Sequence, residues 1–290
     1  MGKIADKYFI VDPWSVIEDG FDPNYGLVSE SVFSSANEYM GVRGYFEEGY
    51  SGEGHVGSYF NGFFEETPIF HPARYKGFVD VSRDMVNSVD WLYTRIEIDG
   101  EQLDLAKCQF EEFKRTLNFK SGIMNRSYIW TTQSGKKLKI KFERILSMEI
   151  NHVGCQRIEF EPLNFSGEIS VISGLDFTPR GQCWDEVTSE NNGQLYSIMA
   201  QTKVSKLRAY SSFRIDCPYK YNEEVIRKDR FIGVKFFIKL EEGIKASYDK
   251  IAVNYAAKKK EASKGMMKIN RVSDFAYSSC IRPIVVRTPH

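Results

Sequence analysis

Alternation of apolar and polar residues at period two is the dominant pattern along this chain. From Lys137 to Arg144, Leu138, Ile140 and Phe142 fall on one side of an extended backbone, and Lys137, Lys139, Lys141 and Glu143 on the other. Successive side chains of a strand point to opposite faces, so this is a half-buried antiparallel strand next to a turn at Ser134-Gly135. Ile158 and Phe160 among Arg157, Glu159 and Glu161 repeat the device, as do Val234, Phe236, Ile238 and Leu240 with Lys235 and Lys239 outward. Between Leu92 and Ile98 the even positions are mostly apolar; Asp99-Gly100 follows, and Leu103 and Leu105 resume the alternation. Asp-Gly tolerates the positive φ angles of a type I′ turn, which predicts a two-residue hairpin.

Helical periodicity is nearly absent before residue 245, and the stretch from Ile244 to Lys260 reads equally as a short helix or, through Val253-Asn254-Tyr255, as a strand. Strand-sized segments at close intervals, separated by Gly, Asn and Ser turns, indicate an all-β sandwich or barrel. No repeat of fixed period and no linker divides the chain, so two packed antiparallel sheets in one large domain are expected over residues 1–260, with little helix near the C-terminus. The composition, 42% hydrophobic and 27% charged over 290 residues, supports a folded chain with a substantial core.

Charge and cysteine content narrow the partners. A formal net charge of zero gives no general attraction to nucleic acid or to an anionic membrane. The distribution is uneven: residues 1–100 hold 7 Lys and Arg against 17 Asp and Glu, and the remainder 32 against 22. An acidic front and a basic back can attract each other inside one domain. Five cysteines, odd in number and without a Cys-x-x-Cys pair, indicate free thiols in a reducing compartment. The N-terminal residues MGKIADKYFIVD lack an apolar signal region, and no run approaches the roughly 18 apolar residues of a membrane span, so a cytoplasmic location is expected.

Candidate chemistry is sparse. Gly52-Glu53-Gly54-His55-Val56-Gly57 has the spacing of a dinucleotide loop but no strand before it and no helix after it, which favours a surface loop. The four histidines are scattered without metal-ligand spacing, and no metal or cofactor is expected. Glu47-Glu48, Glu65-Glu66, Glu111-Glu112, Asp185-Glu186 and Glu223-Glu224 are read as solvated rims, because neighbours on a strand point apart. Arg43, between Gly41 and Gly44, is expected either as a buried arginine paired with Glu47 or Glu48, or as a residue at a domain interface. Tyr59, Phe60, Asn61, Trp14, Trp91 and Trp184 have side chains that can meet sugar rings; core or interface packing is the plainer reading of each.

One stretch is more specific. Glu30-Ser31, Asn37-Glu38-Tyr39-Met40-Gly41-Val42-Arg43-Gly44, Glu47 and Tyr59-Phe60-Asn61-Gly62 together resemble the N-terminal domain of glycoside hydrolase family 65. Weaker echoes follow at Leu117-Asn118-Phe119-Lys120-Ser121-Gly122, at Arg144-Ile145-Leu146-Ser147, and from Ile169 to Asp176. Asn37-Glu38-Tyr39 departs from the Asn-Gly-Tyr usual in the family. The resemblance implies a β-super-sandwich like that of galactose mutarotase. It also implies kinship with inverting phosphorylases of maltose, kojibiose, nigerose and trehalose, in which inorganic phosphate is co-substrate and an (α/α)₆ barrel carries the catalytic acid.

From this likeness the chain is expected to be a non-catalytic module that packs on the barrel, supports a homodimer and lends loops to the substrate pocket. No catalytic residue is assigned; Arg43, Glu47, Tyr59 and Asn61 are expected to face the barrel or the sugar, with disaccharide bound only in the complete enzyme. Residues 261–290 do not resemble the family's linker and are expected to be a divergent tail, as in a truncated or frameshifted product. The alternative is a free-standing carbohydrate-binding or mutarotase-like protein.

Overall fold

The computed structural model describes residues 8–73 and 76–257. The first strands are β1 (Ile10–Asp12) and β2 (Ser15–Asp19), followed by helix α1 (Gly26–Val32). A small sheet follows from β3 (Ser35–Ala36), β4 (Met40–Val42) and β5 (Ser58–Phe60), and then a separate ribbon of β6 (Phe64–Pro68) and β7 (Val81–Met85). The central strands are β8 (Thr94–Ile98), β9 (Glu101–Gln102), β10 (Gln109–Asn118), β11 (Met124–Thr131), β12 (Lys137–Leu146), β13 (Val153–Pro162) and β14 (Gly167–Asp176). The last are β15 (Trp184–Asn192), β16 (Leu195–Thr202), β17 (Arg208–Asp216), β18 (Lys220–Lys228), β19 (Phe231–Leu240) and β20 (Ala246–Ala257).

Two sheets form the body. One has ten strands in the order β1-β2-β10-β11-β12-β13-β20-β17-β16-β15, and the other five, in the order β18-β19-β14-β8-β9. All named pairings are antiparallel. This is the all-β sandwich that the alternation predicts. On β12, Leu138, Ile140 and Phe142 are fully enclosed while the lysines between them stay half-exposed. Ile158 and Phe160 from the large sheet share one core with Ile169, Val171, Phe236 and Ile238 from the small one. Across that core the Phe236 ring meets Tyr248 edge-on, with centroids 5.4 Å apart, a favoured aromatic geometry.

The predicted hairpin is present: Glu97 pairs with Gln102 and Ile98 with Glu101. Asp99 and Gly100 take φ angles of 52° and 83°, the left-handed pair that a type I′ turn demands. The stretch from Ile244, which reads equally as helix or strand, resolves to strand over Ala246–Ala257. β20 sits between β13 and β17, where each of its edges has a partner ladder. The α-helix lies instead near the start, in α1. Residues 261–290 fall outside the described residues. Among the described residues no helix is long and apolar enough to cross a membrane.

Candidate functional site

Three arginines stand on the inner face of the large sheet, one on each of three adjacent strands: Arg115 on β10, Arg126 on β11 and Arg144 on β12. Each is no more than 2% exposed. Arg115 and Arg126 are direct cross-strand partners. What offsets two neighbouring buried cations is the turn at residues 43–48, laid against them. Arg126 donates to both oxygens of Glu48, at 2.6 Å to Oε2, and also to Glu47. Arg144 donates to Glu47 Oε1 at 3.3 Å and to the carbonyl of Arg43 at 2.8 Å. Arg115 donates to the carbonyl of Gly44 at 2.7 Å and pairs with Glu18 of β2 at 2.9 Å. Tyr128 donates its hydroxyl proton to Glu48 at 2.6 Å.

This arrangement corrects two expectations. The Glu47-Glu48 doublet is not a solvated rim, since both residues are essentially enclosed. They lie in a turn rather than on a strand, so the rule that neighbours point apart does not apply, and both side chains reach inward. Glu47, expected to face the barrel or the sugar, has no exposed face. Burial pushes its acidity toward the neutral form, but the Arg126 and Arg144 charges override that and hold its carboxyl below the usual range. Nor does Arg43 pair with either glutamate. Its guanidinium stands 3.6 Å from Glu30 and donates to Ser31 Oγ at 3.0 Å.

The Gly52–Gly57 loop closes over Glu30. The backbone N–H of His55 donates to Glu30 Oε2 at 2.8 Å, and a methyl group on Gly54 would stand 2.9 Å from Glu30 Oε1. At Gly57 an added carbon would lie 2.5 Å from Arg43 Cδ and 2.9 Å from the Tyr59 ring. These glycines therefore provide room for side chains of this chain, with no helix behind them to receive a phosphate. Gly44 has the same role against backbone: a methyl there would meet Phe33 Cβ at 2.8 Å and the Glu30 carbonyl at 3.0 Å. Gly44→Ala is expected to destabilise the fold by about 1–3 kcal/mol, because the end of α1 must move; urea unfolding measures this, and an unchanged midpoint would contradict the packing.

Arg43 and Tyr59 flank Gly57 and are half-exposed, and Tyr59 Oη lies 3.2 Å from His55 Nε2. Asn61 is exposed beyond the end of β5 and donates to the carbonyl of Glu38 at 3.3 Å. Arg43, Tyr59 and Asn61 thus border the small sheet, and Glu47 stands apart, inside. Of the other aromatics considered for sugar contact, Phe60, Trp91 and Trp184 are enclosed. Trp14 is 54% exposed, with the Lys120 ammonium 4.5 Å from its ring centroid. Asn37 ties the motif down. Its Oδ1 accepts from the N–H groups of Tyr39 and Met40, and its Nδ2 donates to the carbonyls of Ser147 and Asn151. Glu38 is not among the residues with positive φ, so a glutamate suits this turn.

A second buried pair was not foreseen. Lys250 on β20 is fully enclosed and donates to the carbonyls of Gly174 at 2.7 Å and Tyr93 at 3.4 Å. Burial pushes it down to about 7, against the partial pull of Asp90. Asp90 accepts from Tyr45 Oη at 2.6 Å, and burial raises it to about 6. The described histidines sit apart from this pair and from one another, His55 beside Tyr59, His71 against Phe78 and His152 against Tyr39. Among the described residues no group of three or more His, Cys, Asp or Glu is placed to hold a metal ion.

A fold so organised around residues 30–62 can be set against known proteins. The sequence profile of the glycosyl hydrolase family 65 N-terminal domain matches residues 16–279. The chain belongs to this family. It is 33% identical over 177 residues to an alpha,alpha-trehalose phosphorylase of Thermoanaerobacter brockii, covering 60% of this chain and 23% of that protein. To a kojibiose phosphorylase of the same organism it is 32% identical over 167 residues, covering 58% and 20%. A solved human-microbiome protein, provisionally assigned as a kojibiose phosphorylase, superimposes with a TM-score of 0.84 at 27% identity. That match covers 95% of this chain and 37% of the other. The chain therefore spans between a fifth and somewhat over a third of the length of such relatives, as one domain of a larger enzyme does.

Proposed function

We propose that this chain acts as the non-catalytic N-terminal module of a disaccharide phosphorylase. Its sandwich packs on an (α/α)₆ catalytic barrel, supports a dimer and positions loops beside the substrate pocket. The observation that carries this reading is the family match over nearly the whole chain, combined with the small share of each relative that the chain spans. The inner face of the large sheet at β10, β11 and β12 is filled by the clamp of Arg115, Arg126 and Arg144 on the turn at residues 43–48. Those charges are neutralised internally and have a structural use: they hold the family-like motif rigid. Arg43, Tyr59 and Asn61, which this clamp leaves at the surface, are the residues we assign to the barrel-facing or sugar-facing side. Inorganic phosphate, the co-substrate, and the disaccharide bind in the complete enzyme, in the cytoplasm.

The isolated 290-residue chain is accordingly expected to be silent with kojibiose, maltose or trehalose plus phosphate. Release of β-glucose 1-phosphate, the anomer that inversion gives, followed by a coupled β-phosphoglucomutase assay, would overturn the module reading. Calorimetry with the same sugars separates the rival: submillimolar binding by the chain alone favours a free-standing carbohydrate-binding protein.

A further inference from the structure

A cavity of about 130 Å³ lies between α1, the loop from residue 49 to 56, and β8. Glu30, Asp90 and Arg95 supply its charged lining, and Tyr45, Phe46 and Tyr50 its rings. Glu30 is 4% exposed and Asp90 6%, so both carboxylates are withdrawn from bulk water. Yet each spends only one oxygen on the protein. Glu30 Oε2 accepts from the His55 N–H at 2.8 Å and faces Arg43; Asp90 Oδ1 accepts from Tyr45 Oη at 2.6 Å and from the Leu92 N–H at 3.1 Å. Among the described residues nothing donates to Glu30 Oε1 or Asp90 Oδ2. Neither oxygen is a fully enclosed atom, so each opens on free space, and the space that both residues line is this cavity. Gly54 keeps Oε1 clear, since an added carbon there would stand 2.9 Å from it.

A carboxylate oxygen held away from bulk water is costly unless an incoming group supplies a donor. Arg95 spends Nη1 on the carbonyls of Glu47 at 3.3 Å and Thr94 at 2.6 Å; among the described residues its other nitrogens donate to nothing. The cavity therefore presents acceptors and donors together. A cation is repelled by the Arg95 guanidinium, and an anion by the two carboxylates. Hydroxyl groups satisfy both, because each donates one hydrogen and also accepts. Phe46 and Tyr50, with ring centroids 5.1 Å apart, add an apolar wall for the C–H face of a ring. Size sets the limit. A cavity of about 150 Å³ takes a benzene ring, so this one is sized for a single ring and not for two linked ones.

We propose that this cavity binds one neutral monosaccharide, whose hydroxyls donate to Glu30 Oε1 and Asp90 Oδ2 and accept from Arg95. The inference goes beyond the module reading and does not depend on it. The frame is already fixed: the His55 N–H holds one carboxylate and the Tyr45 hydroxyl the other, so binding need not order them. The Gly52–Gly57 loop, with the spacing of a dinucleotide loop, serves here to keep the approach to Glu30 open. With one ring and few contacts, a Kd on the order of 1–10 mM is expected.

The test is saturation-transfer NMR on the full 290-residue chain at neutral pH, with D-glucose, D-galactose and D-mannose, and with the charged analogues glucosamine and glucuronate. At least one neutral sugar is expected to bind, and its charged analogues at least fivefold more weakly. Glu30→Gln and Asp90→Asn keep the shape and the acceptor used inside the fold, but turn a donor toward the cavity. Each is expected to weaken the neutral sugar at least fivefold. Arg95→Met, at a half-buried site, gives the same readout where a buried variant does not fold by circular dichroism. Phe70→Ser, 91% exposed between β6 and β7, is expected to bind as wild type does. No transfer to any neutral sugar at tens of millimolar from folded wild-type chain overturns the site. Equal binding by wild type and every folded cavity variant does the same, because the sugar then sits elsewhere. A charged analogue bound as well as its neutral parent overturns the assigned ligand class. All three leave the module reading standing, since phosphorolysis tests that separately.

Discussion

Arg126→Met is expected to lower the unfolding free energy by about 3–5 kcal/mol, the usual cost of removing one partner from a buried ion pair. Methionine fills the space and keeps the rings of Phe46 and Phe142 in contact with a side chain, so the loss is electrostatic rather than a cavity. Among the described residues Arg126 is the one cation that touches both Glu47 and Glu48; Glu47 retains Arg144, but Glu48 keeps, of these partners, the Tyr128 hydroxyl alone. A buried carboxylate without a counter-charge is the expensive product. The double variant Arg126→Met with Glu48→Gln removes that charge and is expected to recover at least 1 kcal/mol of the loss, as coupled neighbours do. Chemical unfolding of the wild type, both single variants and the double variant measures the coupling. Additive losses would show that the clamp is not one unit.

How much of this was legible beforehand follows from where each signal lies along the chain. The Leu92–Leu105 hairpin and the β12 strand are local: alternation sets the face, and Asp99-Gly100 sets the turn. The same parity carried two residues past Phe142 places Arg144 on the inner face, a signal that was available. It is easily missed because charge at a strand end reads as solvent-facing. Strand order was not legible, since β13 pairs with β20 across some ninety residues of sequence and no local pattern encodes that choice. The segment from Ile244 shows the consequence: its short-range signals balance, and the two flanking ladders decide for strand. Of the four residues expected to face the barrel or the sugar, Arg43, Tyr59 and Asn61 keep exposed surface, whereas Glu47 went inside because its turn faces arginines on strands more than seventy-five residues away.

The buried amine of Lys250 leads to the second large effect, which is read in pH. An unfolded lysine holds its proton to about pH 10.4, whereas in the folded chain burial brings Lys250 down to about 7. Between those values the unfolded chain binds the extra proton, so stability rises with pH, by at most about 1.4 kcal/mol per unit for one group. Asp90 acts at the other side. Burial, with a smaller push from Asp176, raises it to about 6 despite the Tyr45 hydrogen bond, so the folded chain holds a proton that the unfolded chain has lost. Its contribution falls as pH climbs from about 4 to 6. The pair therefore gives a shallow minimum between pH 6 and 7 and a climb beyond. Lys250→Met should abolish the climb, because Asp90 alone contributes no rise. Groups common to both proteins cancel in the difference between their curves. That difference is expected to shift by about 2 kcal/mol toward the wild type between pH 7 and 9, measured by urea unfolding at half-unit intervals; two parallel curves would show that the Lys250 amine keeps its proton inside the fold.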